Sequence, residues 1–239
     1  MKKIIYLFII LLIMCGCKEK ETDMERIEYQ DNKLILNLNL SIGTGYDWLE
    51  VYKSDNVTID KDDFTSLNKN PNSTGGRGIK KLECSIDGDD AYLILKHGRS
   101  WENVGDYETF IIKSENNKIV AVEEKIDNFN DIQYIYTSND EKTLNLGVLK
   151  DYTYEEREDG LGFLIKNNDG QFSIYYNQDL EKDINKSIYI GIIKINDKEY
   201  RLYENETEFY LFNDGVCCIG EQAINRLDVI KMLDSIVIE

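Results

Sequence analysis

Few side chains in this sequence could support covalent chemistry. The chain contains a single histidine, His97, so one imidazole is available to activate a nucleophile. Cys84 and Ser100 are the candidate nucleophiles, and Cys84 and His97 fall on strands predicted to be neighbours. However, Cys84 stands in an alternating segment, 82–86, which is typical of a strand whose cysteine packs in a core. We therefore expect no catalytic residues and no enzymatic activity.

The composition argues against metal ions, cofactors and nucleic acids as ligands. Zinc sites use several imidazoles or thiolates. The acidic segment 60–63 (DKDD) lacks the glycine and the distal glutamate of a calcium-binding EF-hand loop. Lys and Arg total 28 against 45 Asp and Glu, a net charge of −17, and so acidic a surface repels phosphate backbones. We expect no metal site, no cofactor and no nucleic-acid partner.

Three short segments between predicted strands are rich in glycine or aromatic residues. They are SIGTGYDW at 41–48, TGGRG at 74–78 and GRSWE at 98–102. Trp48 follows a turn directly and is expected in the core of a β-sandwich. Trp101 has polar neighbours, and an indole in a polar loop is a frequent anchor for a binding partner. The third segment therefore gives the clearest indication of binding.

The order and spacing of these segments resemble the chagasin family of cysteine-protease inhibitors. That family has a loop written NPTTG followed by an aromatic residue, one further residue and Trp, then a Gly-rich loop, then Arg-Pro-Trp-Glu. The resemblance covers roughly residues 26–115. The matching residues are, loop by loop, Thr44, Gly45, Tyr46 and Trp48; Gly75, Gly76 and Gly78; and Arg99, Trp101 and Glu102.

The resemblance implies an immunoglobulin-like sandwich that occludes the active-site cleft of a papain-like protease with three loops from one end. Thr44 and Gly45 would approach the catalytic Cys-His pair of the protease. Arg99 and Trp101 would contact one flank of the cleft, and the 75–78 loop the other. The contact residues implied are Gly43, Thr44, Gly45, Tyr46, Gly75, Gly76, Gly78, Arg99, Trp101 and Glu102.

The first and third segments depart from the family pattern at its prolines. Its Asn-Pro is replaced by Ser41-Ile42 or by Ile42-Gly43, depending on the alignment, and its proline between Arg and Trp is Ser100. Proline stiffens an unbound loop, so its loss predicts softer loops and weaker binding. The alternative function is a lipid-anchored adhesion or ligand-binding module that uses a degenerate, non-inhibitory sandwich as its scaffold.

Strand patterns dominate the chain and divide it into two domains of a mainly β protein. Strand patterns occur at 34–40, 48–52, 79–86, 91–95, 107–113 and 119–122, and we expect about seven strands over 26–124, which is typical of an immunoglobulin-like β-sandwich. Asp87-Gly88 between two of these segments predicts a β-hairpin.

The remainder of the chain predicts a small α+β domain over 140–239, with residues 125–139 as the boundary region. Apolar residues in 223–236 approximate one face of a helix. An antiparallel sheet followed by a C-terminal helix belongs to the α+β class. The predicted strands are 161–165, 172–176, 188–195, 200–203 and 208–211.

The N-terminus predicts a bacterial lipoprotein. Lys2 and Lys3 precede an apolar run at 4–14 that is shorter than the ~20 residues needed to span a bilayer. Gly16-Cys17 resembles a lipobox, which implies a signal peptide over 1–16, lipidation of Cys17 and a tether over 17–25; a plain signal peptide cut nearby is the alternative. We expect an extracytoplasmic protein held at the cell membrane by its lipid.

The cysteines left after removal of the signal peptide and lipidation do not indicate a disulfide framework. Cys84, Cys217 and Cys218 remain, so one disulfide with one leftover thiol is possible. A bond between the adjacent Cys217 and Cys218 would be strained. Two small, buried apolar side chains are therefore expected at these positions.

Overall fold

The computed structural model describes residues 24–68, 75–158, 161–176, 187–213 and 215–239. The predicted signal peptide, Cys17 and the tether as far as residue 23 lie outside the described residues. In the part of the chain that is described, no helix has the length and apolarity needed to cross a membrane.

The first half consists of antiparallel strands, eight of them within its described residues. They are β1 (Ile27–Gln30), β2 (Lys33–Ile42), β3 (Asp47–Lys53), β4 (Val57–Ser66), β5 (Gly76–Ile86), β6 (Ala91–Gly98), β7 (Gly105–Glu115) and β8 (Lys118–Asp127). Sheet one has the order β1-β2-β5-β4, and sheet two has the order β3-β6-β7-β8. Leu36 and Leu82 of sheet one share a buried cluster with Leu93 and Phe110 of sheet two. The sheets therefore pack face to face, and the prediction of a mainly β chain is confirmed.

The link between β5 and β6 is not the predicted β-hairpin. Strand β5 pairs with β2 and β4, whereas β6 pairs with β3 and β7, so Asp87-Gly88 carries the chain from one sheet to the other. Gly88 has a φ of 84°, which suits a tight connection of either kind. The Asp-Gly dipeptide predicts a turn, but it does not indicate which strand pairs with the strand that follows. Strands β1 and β4 expose most of their side chains and give no apolar alternation to detect.

The second half is also antiparallel and contains the one α-helix among the described residues. This half begins after a 3-10 turn (Phe129–Asp131) that follows β8. The elements are β9 (Ile132–Ser138), β10 (Thr143–Leu149), β11 (Thr153–Glu156), β12 (Gly162–Lys166), β13 (Gln171–Tyr176), β14 (Ile188–Ile195), β15 (Lys198–Glu204), β16 (Glu208–Asn213), β17 (Val216–Glu221), α1 (Arg226–Asp234) and β18 (Val237–Ile238).

These strands form a three-stranded sheet, β18-β10-β9, and a seven-stranded sheet, β11-β12-β13-β17-β16-β15-β14, in the described residues. The helix predicted over 223–236 is shorter, because the Asn225 side chain caps it by accepting a hydrogen bond from the Leu227 N–H. It is also not the last element, since β18 follows and pairs with β10.

Sheet two is covered on both faces. Leu93 and Leu95 point into the sandwich, whereas Val51 and Ile94 belong to the apolar cluster of the second half. Burial on both faces explains why residues 93–95 form an unbroken apolar run instead of an alternating one. The two halves of the chain therefore share apolar packing across sheet two.

Three polar residues form a row across the covered face of sheet two. Lys96 on β6, Tyr107 on β7 and Asp127 on β8 are successive cross-strand partners, and we call them the charged row. Asp234 of α1 accepts hydrogen bonds from Lys96 Nζ at 2.8 Å and from Tyr107 Oη at 2.9 Å. Lys231 of α1 donates to Asp127 at 2.5 Å. The helix is therefore joined to three strands by buried polar contacts.

A second carboxylate on the helix, that of Asp228, also pairs with Lys231. Lys231 Nζ lies 2.8 Å from Asp228 Oδ1, and Lys125 Nζ lies 3.2 Å from the same atom. Burial opposes ionisation of Asp228, but the two lysines outweigh it, so the pKa of Asp228 is below its ordinary value. Burial and the charge of Asp234 raise the pKa of Tyr107 well above its ordinary value. Tyr107 therefore remains a neutral donor to that carboxylate.

Removal of Lys231 tests the importance of this interface for stability. Lys231→Met leaves Asp127 and Asp228 with Lys125 as their remaining cation, and breaking a buried pair typically costs about 3–5 kcal/mol. We expect the free energy of unfolding, measured by urea denaturation, to fall by about 3 kcal/mol.

The matched control is Lys113→Met. It removes an exposed pair, in which Lys113 Nζ lies 2.7 Å from Asp90, and should leave the free energy of unfolding nearly unchanged. Equal effects of the two substitutions would contradict the role assigned to the buried pairs.

Candidate functional site

The three predicted loop segments lie at one end of the sandwich, which we call the loop end. Residues 43–46 join β2 to β3, residues 67–75 join β4 to β5, and residues 99–104 join β6 to β7. Residues 69–74 are outside the described set. The last residue of β2 pairs with the first of β5, and the first residue of β3 pairs with the last of β6. The register of both sheets thus brings these connections together.

The first loop is a tight, exposed turn. Gly43 and Gly45 have φ values of 81° and 79°, in the left-handed region that favours glycine. Between them, Thr44 Oγ1 donates a hydrogen bond to Ser41 O at 2.8 Å and accepts one from the Tyr46 N–H at 3.3 Å. The threonine side chain is therefore used to close the turn, while the glycine backbone stays open to solvent.

The third loop is fastened to the first by Arg99. Its Nε donates to Thr44 O at 3.0 Å, and its Nη1 lies 2.9 Å from Glu102 Oε1. The Trp101 indole lies over the first loop. It packs so closely on Gly45 that a Cβ at this position would be only 2.8 Å from Trp101 Cη2. Gly45 is therefore needed both for its positive φ and for the space that the indole occupies.

A stack of rings and one guanidinium runs from solvent to the core at this end. Arg99 Cζ lies 5.9 Å from the centroid of Trp101 and 4.9 Å from that of Tyr46. The rings of Tyr46 and His97 are 5.4 Å apart, and those of His97 and Trp48 are 4.7 Å apart. Trp101 is 70% exposed and Trp48 only 6%, so the predicted core position of Trp48 is confirmed.

His97 has a structural place that the sequence did not indicate. It is the direct cross-strand partner of Trp48, and the two rings stack. Burial lowers the pKa of His97 below its ordinary value, although the negative charges of Asp106 and Asp47 oppose this. The imidazole is therefore neutral at pH 7 and packs as an aromatic ring in the stack.

The glycine-rich segment is only partly a loop. Strand β5 begins at Gly76, so Gly76 and Gly78 lie in sheet one rather than in the predicted 74–78 loop. Gly78 is buried, and a Cβ there would lie 2.4 Å from Cε2 of the Phe64 ring. Gly75 remains in the loop, and a Cβ there would be 3.6 Å from Ile42 O, beside the first loop. Gly75 is half-buried and Gly76 is exposed, but Gly76 makes room for Asn68, whose Oδ1 would lie 1.8 Å from a Cβ there, and Gly78 makes room for Phe64.

Lys80 supports the loop end and was missed by sequence reasoning. It lies on β5, yet its Nζ reaches Trp48 O at 2.9 Å, Asp47 Oδ1 at 3.1 Å and Asp62 Oδ2 at 3.1 Å. In the other direction, Trp48 Nε1 donates to Asn39 O at 2.8 Å. These bonds tie sheets one and two together directly beneath the loops. A lysine on a strand is expected to face solvent, but the alternation of β5 places Lys80 on the same face as Leu82 and Cys84, and that alternation is the signal that could have indicated its role.

The structure does not assemble the alternative Cys–His pair. The predicted neighbouring strands β5 and β6 belong to different sheets. Cys84 is fully buried far along β5, roughly 25 Å from the loop end at about 3.3 Å per residue, whereas His97 lies at that end. Burial raises the pKa of the Cys84 thiol to about 12. Cys84, Cys217 and Cys218 are free and buried. Across the described ranges, no group of three or more His, Cys, Asp or Glu residues is arranged to hold a metal ion.

Comparison with protein-family models, curated proteins and solved structures finds no match to this chain. The loop end brings together the first and third of the segments singled out in the sequence. It combines an exposed indole, a stacked guanidinium and an exposed glycine backbone.

The titration of His97 tests the stack. Since His97 is the single histidine, its Cε1–H signal in proton NMR reports one pKa, which we expect below 6.5 because burial disfavours the imidazolium. The unfolded chain then binds the proton first, so stability falls as pH drops from 6.5 through the lower pKa of the folded state.

Asp106→Asn provides the comparison, because it removes a carboxylate 4.0 Å from His97 Nδ1 and should lower the pKa further. A wild-type pKa at or above 6.5 would be incompatible with a half-buried imidazole in this stack.

Proposed function

We propose that this chain is an extracytoplasmic, membrane-anchored inhibitor of papain-like cysteine proteases, of the kind that the chagasin family represents. The observation that carries this proposal is the fastening of the 43–46 and 99–104 loops to each other, with Trp101 exposed beside the glycine backbone. These loops follow the order of the chagasin motifs along the chain. Gly75, in the 67–75 connection, lies beside the first loop, since a Cβ there would be 3.6 Å from Ile42 O.

The strand order supports an immunoglobulin-like assignment for the first half. Immunoglobulin constant-type domains have one sheet in the order ABED and another in the order CFG. With β1 to β7 taken as strands A to G, sheet one is ABED and sheet two is CFG with β8 added at its edge. In this arrangement the B–C, D–E and F–G connections lie at one end of the sandwich. Occlusion of a cleft by three loops requires all of them at the same end.

The proposed mechanism is occlusion of the protease cleft without covalent chemistry. Thr44 and Gly45 would enter the cleft near the catalytic cysteine. Cleavage requires a peptide aligned for attack, but the positive φ values of Gly43 and Gly45 hold this turn in a curled conformation. The loop would therefore fill the site without presenting a well-placed scissile bond.

The stack supplies the stiffness that the missing prolines would have provided. Ordering a loop on binding costs free energy, and a preformed loop avoids that cost. Arg99 is held by a hydrogen bond to the first loop, by Glu102 and by the faces of Tyr46 and Trp101. Trp101 would then be placed as an aromatic anchor for a flank of the cleft. These contacts of Arg99 therefore support binding by a loop that is already ordered in the free protein.

Inhibition is tested with the whole mature chain, because the second half packs on sheet two and shares its apolar contacts. Titration of papain with residues 18–239 should give reversible inhibition. Trp101→Ala should weaken the affinity by about 2 kcal/mol, or about thirtyfold, because buried aromatic anchors dominate such interfaces.

The control is Tyr136→Ala, which removes an equally exposed aromatic side chain on β9: Tyr136 is 71% exposed and Trp101 is 70% exposed. It should not change inhibition. Trp101→Ala should alter the free energy of unfolding by no more than about 0.5 kcal/mol, as for other surface substitutions. If the folded chain at micromolar concentration leaves papain active, the adhesion or ligand-binding module replaces the inhibitor.

Lipid anchoring is tested separately by metabolic labelling with a fatty-acid analogue. The sequence around Gly16-Cys17 supports acylation of Cys17, so the wild-type chain should take up label and fractionate with membranes. Cys17→Ala should lose both properties. Label that persists in this variant would show that another residue is acylated, and an unlabelled wild type would favour a plain signal peptide.

A further inference from the structure

We infer that the second half of the chain positions the Trp101 loop, and that Lys96 is the positioning residue through which it acts. Asp234 at the end of α1 holds the ammonium of Lys96, and the aliphatic stem of Lys96 covers the two ends of the 99–104 loop. This assigns a role to residues 140–239. Its consequence for inhibition rests on the proposed function, but its consequence for the loop does not.

Two glycines bound the loop and leave room for the facing backbone and for one side chain. Gly98 ends β6 and Gly105 begins β7, and they are cross-strand partners. A Cβ at Gly105 would lie 2.7 Å from His97 O and 2.8 Å from Lys96 Cγ. A Cβ at Gly98 would lie 2.9 Å from Val104 O and 3.7 Å from Lys96 Cγ. The stem of Lys96 therefore lies against both glycines, at the base of the loop that carries Trp101.

The other end of Lys96 is fixed by the helix. The Lys96 side chain is 3% exposed and that of Asp234 is 1% exposed, with 2.8 Å between Nζ and Oδ2. Asp234 also accepts hydrogen bonds from Tyr107 Oη at 2.9 Å and from Asn196 Nδ2 at 3.3 Å. A lysine has a long, flexible stem. Since the ammonium is anchored, the stem is held across the glycines.

Loss of the anchor therefore has a directional effect. A buried ammonium without a counter-charge moves toward water, because its desolvation is no longer compensated. The stem then leaves Gly98 and Gly105, and the ends of the loop lose their cover. The contact between Arg99 and Thr44 remains, so the loop stays near its position but moves over a wider range.

The test is the motion of the two tryptophan side chains in the whole mature chain. The sequence has two tryptophans, so 15N relaxation of their indole N–H groups gives one signal for the loop and one for the core. Lys96→Ala removes the stem, and Asp234→Asn removes its anchor. Each should increase the fast motion of Trp101 and leave that of Trp48 unchanged.

The matched control is Lys231→Met, which breaks a different ion pair of α1 with sheet two, that with Asp127 on β8, and leaves the Lys96 side chain in place. It should leave both indoles unchanged. If a single variant does not fold, Lys96→Ala combined with Asp234→Asn leaves neither of the paired charges behind and carries the same expectation. Unaltered motion of Trp101 in the folded variants, or an equal increase in Lys231→Met, would overturn the inference.

Inhibition gives a second, separate readout. A loop that must be ordered on binding should weaken inhibition of papain about tenfold in Lys96→Ala and Asp234→Asn, but not in Lys231→Met. If the wild-type chain fails to inhibit, the proposed function fails, while the relaxation data still decide whether Lys96 positions the loop. If inhibition is unchanged although Trp101 becomes mobile, the positioning of the loop stands and its role in inhibition is overturned.

Discussion

The position of the second half on the sandwich depends on the buried contacts between α1 and the charged row of sheet two. Apolar contacts tolerate sliding, whereas a buried charge separated from its partner is strongly destabilising. Lys96 and Asp127 lie two strands apart, and they meet Asp234 and Lys231, which are three residues apart on the helix. Both pairs are satisfied at the observed position of the helix, so each of them opposes sliding of the helix along the sheet.

Strand β6 connects this interface to the loop end. Consecutive residues of a strand point to opposite faces. Lys96 accordingly faces α1, while His97 faces the sandwich and stacks on Trp48. The strand then ends at Gly98 and enters the loop of Arg99 and Trp101. Packing on either face of sheet two therefore acts on the same loop, so the proposed binding surface depends on both halves of the described chain.

The sequence indicated most strands and the contrast between the two tryptophans, because apolar alternation and polar surroundings are local signals. It did not indicate which strands pair, so Asp87-Gly88 predicted a β-hairpin where the chain passes from one sheet to the other. Lys80 and Lys96 were also missed, because a lysine is expected to face solvent. The partner of Lys96 is 138 residues away along the chain, and no local pattern announces a contact at that separation. The glycines at 43 and 45 indicated a turn, but they did not indicate that the Trp101 indole lies over that turn.

Amide hydrogen exchange of the mature chain with and without papain tests whether the loop end binds the protease, because it reports which backbone a partner covers. We expect papain to protect the segments 41–48 and 99–104, with smaller protection near residue 75. We expect no change in β14, an edge strand whose Ile188 and Ile190 are 72% and 55% exposed. Protection at β14 with unprotected loops would contradict a binding surface at the loop end, as would unchanged exchange throughout the chain at saturating papain.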